Sequence, residues 1–452
     1  MASPSPEPAR DGPVAGAGAP LGAAMPAGVS FVGTRVDGPP GWRPGDAPTV
    51  ADLNACVACG LCLPHCPTYR LTGEEPASPR GRINAMKAVA DGIAPVDASF
   101  AAFMDRCLVC RACEDVCPSH VPFGRLMEAA RAQVEPTRSA TARLARWVAF
   151  HWVLPHPTLV RLAALAAPLV RPAMPERLRR LVPRRGHAFA RLPAVTEPAR
   201  DVAVRGTVAL LSGCAQDRWF HGVNRATIRV LARNGWRVVV PRGQACCGAL
   251  AAHNGRLAVA RRLARRARHA FAGAETIVVN AAGCAAHMRT YGELDGEPPL
   301  PVRDLMAFLH EEGLAVEPGP LPVTVAYHDA CHALRAQGIR AEPRAVLRRV
   351  PGLELREVPD GDRCCGAAGT YNVTQPALAD RLMTAKAEAV ASTGATVVAS
   401  ANPGCSMQLA AGLRELGYEA EVVHPVELLD RAYQRLSAAP AAAAPVQTVP
   451  AP

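Results

Sequence analysis

From residue 206 to residue 436 the chain alternates short β-branched apolar runs with longer stretches whose apolar residues recur at helical spacing. The runs at 208–211, 238–240, 277–279, 323–326 and 396–398 are bounded by Gly, Pro or Asn, the residues that punctuate strands. Between them the pattern is helical: Leu257, Ala260, Ala264, Ala267 and Phe271 share a face, while Arg261, Arg262, Arg265, Arg266 and Arg268 lie on the others. That arginine run reads as a solvated face. Strands that each lead into a helix predict a parallel α/β sheet. Upstream, residues 143–185 alternate apolar clusters (Trp147, Phe150, Trp152, Val153, Leu154) with Arg and Pro, and Pro155, Pro157, Arg161, Pro168 and Arg171 interrupt them. No apolar span there approaches the roughly 20 residues of a membrane helix. The broken periodicity favours short helices packed between two domains; the other reading is a basic, aromatic surface for a partner or a bilayer. Residues 1–48 hold ten prolines and nine glycines and are expected to be a disordered leader, as is the uncharged Ala/Pro/Val tail at 437–452.

The cysteines divide the C-terminal half into two copies of one unit. Cys214, the pair Cys246-Cys247 and Cys284 recur as Cys331, Cys364-Cys365 and Cys405, at offsets of 117 (214 to 331), 118 (246 to 364) and 121 (284 to 405). Such recurrence means one structural unit used twice, on a pseudo-twofold axis, with repeats at 206–320 and 321–436. Each cysteine follows a predicted strand, and in open α/β sheets ligands gather at the carboxyl ends of strands, so the four thiols of each repeat can converge on one centre. Both pairs precede a glycine, Gly248 or Gly366, that permits a tight turn. Spacing leaves open whether each repeat holds an iron-sulfur cluster, zinc or a reactive thiol site. His287, His328 and His332 lie close in sequence to these thiols; ligand, proton carrier and ordinary structural histidine are all open, the last being the expectation.

A more specific signal precedes them. Cys56, Cys59, Cys62 and Cys66-Pro67 spell C-x-x-C-x-x-C-x-x-x-C-P, and Cys107, Cys110, Cys113 and Cys117-Pro118 spell it again. Three cysteines at spacing three wrap one iron-sulfur cube while the fourth reaches the neighbouring cube. Cluster one should therefore take Cys56, Cys59, Cys62 and Cys117, and cluster two Cys107, Cys110, Cys113 and Cys66. A zinc module would instead group two C-x-x-C pairs across a longer loop. The segment 49–135 is thus expected to be a small, mainly helical 2x[4Fe-4S] ferredoxin-like domain, joined by a helical linker at 136–205 to the α/β repeats. Arg80, Arg82, Arg106 and Arg111 lie near the ligands and either tune potential or make ordinary salt bridges.

Composition adds less. All 16 cysteines fall into these sets, and the first twenty residues lack a basic start followed by an apolar run, which leads us to expect a cytoplasmic protein with reduced thiols, or one peripheral on the cytoplasmic face of the inner membrane. The formal charge of +11 suits an anionic partner or a basic surface, but 48 of 50 basic residues are Arg, a compositional bias, and no recognition helix or aromatic interleaving supports nucleic acid.

With both Cys-Pro motifs followed by a linker and two Cys-Cys-Gly repeats, the chain resembles the iron-sulfur subunit of glycolate oxidase, the flavin-dependent glycolate dehydrogenase complex. The resemblance covers about residues 49–436 and includes Cys66-Pro67-Thr68-Tyr69, Pro79-Arg80-Gly81-Arg82-Ile83, Cys107-Leu108-Val109-Cys110-Arg111 and Cys364-Cys365-Gly366-Ala367-Ala368-Gly369-Thr370-Tyr371. It implies an electron-transfer subunit that accepts electrons from FAD-binding partner subunits oxidising glycolate to glyoxylate, and D-lactate to pyruvate, and passes them to an acceptor such as a quinone, with no flavin on this chain. Cys-Cys-Gly repeats also occur in heterodisulfide reductase, lactate-utilisation proteins and anaerobic glycerol-3-phosphate dehydrogenase, whose substrates are the alternatives; a zinc or nucleic-acid-binding protein is a more distant one. Heterodisulfide reductase repeats end in C-x-x-C, whereas these end Cys284-x-x-His287 and Cys405-x-x-Gln408, so the clusters of that relative are not carried over.

Overall fold

The strand-helix alternation closes into two small sheets in the computed structural model, which describes residues 41–176, 179 and 190–438. Nine strands are present among the described residues: β1 (Val195–Thr196), β2 (Gly206–Leu211), β3 (Trp236–Val239), β4 (Ile277–Val279), β5 (Val302–Asp304), β6 (Val323–His328), β7 (Leu353–Glu357), β8 (Val397–Ser400) and β9 (Glu421–Val423). The first sheet has the order β1-β3-β2-β4-β5 and the second β7-β6-β8-β9. Every pairing is parallel except β1 with β3. Without β1 the two sheets share one order, as expected for a duplicated unit. β1 comes from the end of the linker, so that segment does more than connect.

Strands buried on both faces must read as continuous apolar runs, and β4 and β8 do, with every residue buried. One core spans both repeats. It joins Val208 and Leu210 of β2 to Val325 and Tyr327 of β6 through Leu231, Leu309, Leu347 and Leu429 on the surrounding helices. The helices His221–Arg233 and Pro425–Ala438 lock the repeats together: Arg229 grips Asp430 at 2.8 and 2.6 Å, and Asn234 donates to the Tyr433 hydroxyl at 3.1 Å.

The N-terminal segment is helical, and its main helices Pro79–Ala90, Ala98–Asp105 and Phe123–Val134 bury Met86, Met104, Leu126 and Met127 against one another. Ser78 and Asp97 cap the first two by accepting from the Gly81 and Phe100 amides at 2.9 and 2.8 Å. The leader boundary moves: residues 1–40 lie outside the described residues, but 41–48 pack onto this core. Trp42 is buried and meets the Phe100 ring edge-on at 5.7 Å, and the Gln133 side chain bonds the Arg43 amide and the Asp46 carbonyl. A single large aromatic anchors a stretch whose Pro/Gly density argued for disorder. Of the tail at 437–452, the helix Pro425–Ala438 claims the first two residues and the rest lies outside the described residues.

In the linker, helices Ala140–Trp147 and Pro157–Val170 flank a turn of π-helix, Val148–Val153. Phe150 sits in a core with Cys246, Ala252 and Leu263, while Leu144, Trp147, Trp152, Leu162 and Leu169 remain exposed. No single helix is long and apolar enough to cross a membrane among the described residues. The apolar face of Leu257–Ala270 is buried as expected, but the arginines beyond it do more than meet solvent. Arg261 pairs with Asp46, Arg266 donates to the Gly243 and Pro155 carbonyls at 2.8 and 3.1 Å, and Arg268 forks onto Asp295 at 2.8 and 2.9 Å. Guanidinium forks reach carbonyls and carboxylates that a helical pattern does not reveal.

Candidate metal centres

The two Cys-Pro loops adopt the same backbone. Ala58 and Val109, each two residues after the first cysteine, have φ of 58° and 52°; Gly60 and Arg111, each four after it, have 85° and 62°. Left-handed residues turn successive thiols inward, and for Ala58, Val109 and Arg111 that conformation costs roughly 1–2 kcal/mol each without a binding reason. One cavity is lined by Cys56, Cys59, Cys62 and Cys117, together with Cys113. Another is lined by Cys66, Cys107, Cys110 and Cys113. Helix Pro67–Thr72 starts at the proline after Cys66, and Thr68 donates to the Ala77 carbonyl at 2.7 Å, which carries Cys66 away from its own triplet. Burial pushes the Cys110 and Cys113 thiols well up, so both keep their protons until a cation offsets the charge.

The nearby arginines bind protein groups. Arg80 pairs with Glu75 at 2.8 Å, Arg106 with Glu74 at 2.6 Å and Arg111 with Glu114 at 3.1 Å. Arg82 is buried and donates to the Phe103 and Ala77 carbonyls, both at 2.8 Å, keeping a net charge close to the cluster loops. A residue the sequence did not single out is Arg131: its guanidinium gathers the Met104, Cys107 and His253 carbonyls, the last two at 2.6 Å, and so ties the second Cys-Pro loop to the first repeat.

In the repeats the eight thiols fall at matching places. Cys214 and Cys331 come three residues after β2 and β6 end (211 to 214, 328 to 331), Cys246 and Cys364 seven after β3 and β7 (239 to 246, 357 to 364), and Cys284 and Cys405 five after β4 and β8 (279 to 284, 400 to 405). Gly248 and Gly366 carry φ of 93° and 84°, the tight turn expected of each pair. Within each repeat neighbouring thiols raise or lower one another's pKa in sequence, Cys214 with Cys246, Cys247 and Cys284, and Cys331 with Cys364, Cys365 and Cys405. The bond to the neighbouring thiol, then burial, pushes Cys214 and Cys331 far above the ordinary thiol range. The four thiols of each repeat line one cavity without a salt partner and offer donors to a soft cation, and none of the eight sits in a disulfide.

Both thiol sets face one cavity of about 220 Å³, which Cys107 and Tyr371 also line. Asn402 spans it, accepting from the Gly283 amide at 3.2 Å while its amide lies 3.5 Å from the Cys405 sulfur. Cys110 couples electrostatically to Cys331 and Cys364, so the second Cys-Pro loop adjoins the second repeat. The late Gly369-Thr370-Tyr371 motif closes that junction: Thr370 donates to Asn254 at 3.1 Å and the Tyr371 hydroxyl to the Arg106 carbonyl at 3.1 Å. Lys386, buried, donates to the Asp360 and Gly361 carbonyls at 3.0 Å and holds the loop before Cys364.

The three histidines are not ordinary satisfied core residues. Ring nitrogens of His287, His328 and His332 are buried without a hydrogen-bond partner, and burial pushes His287 down to about 4 and His328 to about 3, which keeps both rings neutral. His332 and His287 approach a ring that spacing offered no reason to choose, His253, at 5.2 and 6.1 Å between centroids, and His253 bonds Glu128 at 2.7 Å.

Two cysteine-rich loops with ferredoxin spacing, set beside a doubled thiol-rich α/β unit, define an iron-sulfur electron-transfer protein. Residues 52–121 match the family described as 4Fe-4S dicluster domain, and residues 208–289 and 325–410 each match the family described as cysteine-rich domain. Over 423 residues the chain is 34% identical to the probable glycolate oxidase iron-sulfur subunit of Bacillus subtilis (strain 168), covering 84% of this chain and 93% of that one. The glycolate oxidase iron-sulfur subunit of Escherichia coli (strain K12) is 34% identical over 406 residues, covering 85% and 95%. Lactate utilization protein A 2 of Bacillus mycoides (strain KBAB4) is 28% identical over 234 residues, 49% of this chain and 98% of that one. The chain belongs to the glycolate oxidase iron-sulfur subunit family.

Proposed function

We propose that this chain is the electron-transfer subunit of a flavin-dependent glycolate dehydrogenase. It would hold one [4Fe-4S] cluster on Cys56, Cys59, Cys62 and Cys117 and a second on Cys107, Cys110, Cys113 and Cys66, and take electrons from FAD-bearing partner subunits. The observation that carries this reading is the pair of separate cavities whose thiols come crosswise from the two loops. Bound there, the clusters supply one-electron steps with little rearrangement. The chain's part is to position them: the left-handed loop residues aim the thiols, Arg82 and Arg131 offer unpaired positive charge, and Cys110 faces the second repeat. The repeat thiols would hold further iron-sulfur or zinc centres at the far end of that path, and a quinone is the acceptor class we favour. The exposed Trp147, Trp152, Leu162 and Leu169 give the linker an amphipathic surface for peripheral contact with a bilayer. D-Lactate is the second substrate, favoured by the likeness to a lactate utilization protein across half the chain.

The test is anaerobic purification with the flavoprotein partner. About eight irons and eight sulfides belong to the two N-terminal clusters, and the brown colour should bleach with glycolate only when the partner is present. Retention of the full iron load after both Cys59→Ser and Cys110→Ser would overturn the ligand assignment. Bleaching with neither glycolate nor D-lactate would overturn the substrate assignment alone.

A further inference from the structure

The repeats match in strand order and thiol placement, but not at the strand end that precedes the first thiol. Three residues before Cys214, β2 ends in Leu211, which is buried in an apolar core; three before Cys331, β6 ends in His328. The His328 ring is buried at 1% exposure, and neither of its nitrogens has a hydrogen-bond partner. Leaving a buried nitrogen unsatisfied is costly, and a neutral imidazole must leave one nitrogen as an acceptor and the other as a donor. What it does face is sulfur: a ring nitrogen of His328 and the sulfurs of Cys365 and Cys405 all lie within 4.8 Å of one another. Ligand atoms around one tetrahedral metal stand about 3.5–3.8 Å apart, so small side-chain rotations bring the three onto a common centre. Among the described residues no histidine of the first repeat joins such a group with its thiols.

We infer that His328 is a nitrogen ligand of the metal centre in the second repeat, so that two repeats of one build hold unlike centres, the first on thiolates alone and the second on thiolates with an imidazole. The inference rests on the proposal that the repeat thiols hold metal. Thiolate and imidazole together suit zinc or the iron of a cluster, and both belong to one donor chemistry. Were the imidazole to take the place of one of the repeat's four thiolates, the centre would carry one negative charge less, and in an iron centre that raises the reduction potential. The second repeat, beside Cys110, would then be the easier of the two to reduce.

The experiment uses the full chain, reconstituted anaerobically with iron and sulfide or with Zn²⁺, and grown with natural or ¹⁵N-labelled histidine. In the iron arm, pulsed electron paramagnetic resonance of the reduced protein should show a strongly coupled nitrogen that changes with the label and vanishes in His328→Ala. In the zinc arm, X-ray absorption at the zinc edge should show a nitrogen shell at about 2.0 Å that is lost in the same variant. In either arm the second-repeat metal of His328→Ala should be stripped at a chelator concentration at least tenfold lower than in the wild type, whereas His328→Cys should retain the metal without the nitrogen signal. Repeat metal with sulfur-only coordination in the wild type overturns the inference, as does metal confined to the N-terminal clusters. The N-terminal cluster signals are read in the same samples, so failure of His328 is told apart from failure of the electron-transfer assignment.

Discussion

Tyr371 links the second Cys-Pro loop to the second repeat, and its removal tests whether those two parts are held as one electron path. The ring is 4% exposed and packs with Leu108, Cys110 and Ala112 from the N-terminal segment and with Cys364, Ala379 and Leu382 from the repeat. Its hydroxyl donates to the Arg106 carbonyl at 3.1 Å. Tyr371→Phe removes only that bond and should cost about 1 kcal/mol. Tyr371→Ala also empties the space of a buried aromatic ring and should cost about 3–5 kcal/mol. The assay is urea unfolding of the metal-loaded protein under argon, followed by far-ultraviolet circular dichroism and by cluster absorbance. Transfer from flavin to the final acceptor should slow in Tyr371→Ala and hold nearly steady in Tyr371→Phe, because only the first frees Cys110 from Cys364. If the two variants unfold at the same urea concentration, the ring is not what joins the segments and the reasoning fails.

Three further outcomes are expected. Ala58→Gly should raise the thermal midpoint, by up to about 1 kcal/mol of stability, because glycine accepts the φ of 58° without strain, whereas Gly60→Ala should lower it, since alanine is strained at the φ of 85° that Gly60 holds. Asp329→Ala should cost about 1–3 kcal/mol: Arg344 holds both Asp329 oxygens at 2.8 Å and so fixes the turn between His328 and Cys331, but it keeps Glu357 at 2.7 Å as a second partner, so calorimetry should show a moderate loss along with weaker metal retention in the second repeat. His424 is buried, and burial pushes its ring down to about 3, while its Nδ1 accepts from the Val426 amide at 3.1 Å. The unfolded ring titrates near 6.5, so the folded chain binds fewer protons below that pH; stability is complete above about 6.5 and falls as pH drops toward 3, by about 1.4 kcal/mol per pH unit for one such ring. His424→Gln should flatten the acid limb of a denaturation series, and an unchanged slope would show that the ring protonates in place.

The placing of the N-terminal thiols could be read in advance because the motif is local: C-x-x-C-x-x-C followed by Cys-Pro puts three thiols on one loop and carries the fourth to the neighbouring cavity. The doubled α/β unit was legible for the same reason, since the thiols keep register with the strands that present them. The strands that escaped were edge or mixed ones. β7 (LELRE) and β9 (EVV) carry charges at alternate or exposed positions, β5 has an arginine at its centre, and β1 is two residues long; none makes the continuous apolar run that marks a strand covered on both sides.

What spacing could not convey is which side chains from distant segments share a cavity. His328 stands at the end of an apolar strand, where a lone histidine is most often a core residue. Its distinction is that two thiols and no oxygen acceptor surround it, a fact set by the return of the chain at Cys365 and Cys405. The same holds for Arg131, whose importance depends on three carbonyls from two domains lying within one guanidinium's reach. Duplication therefore explains the frame, while the departures from it, Leu211 against His328 and His287 against Gln408, are where the ligation proposed for His328 would set the two thiol sets at different potentials and so give electron flow a direction.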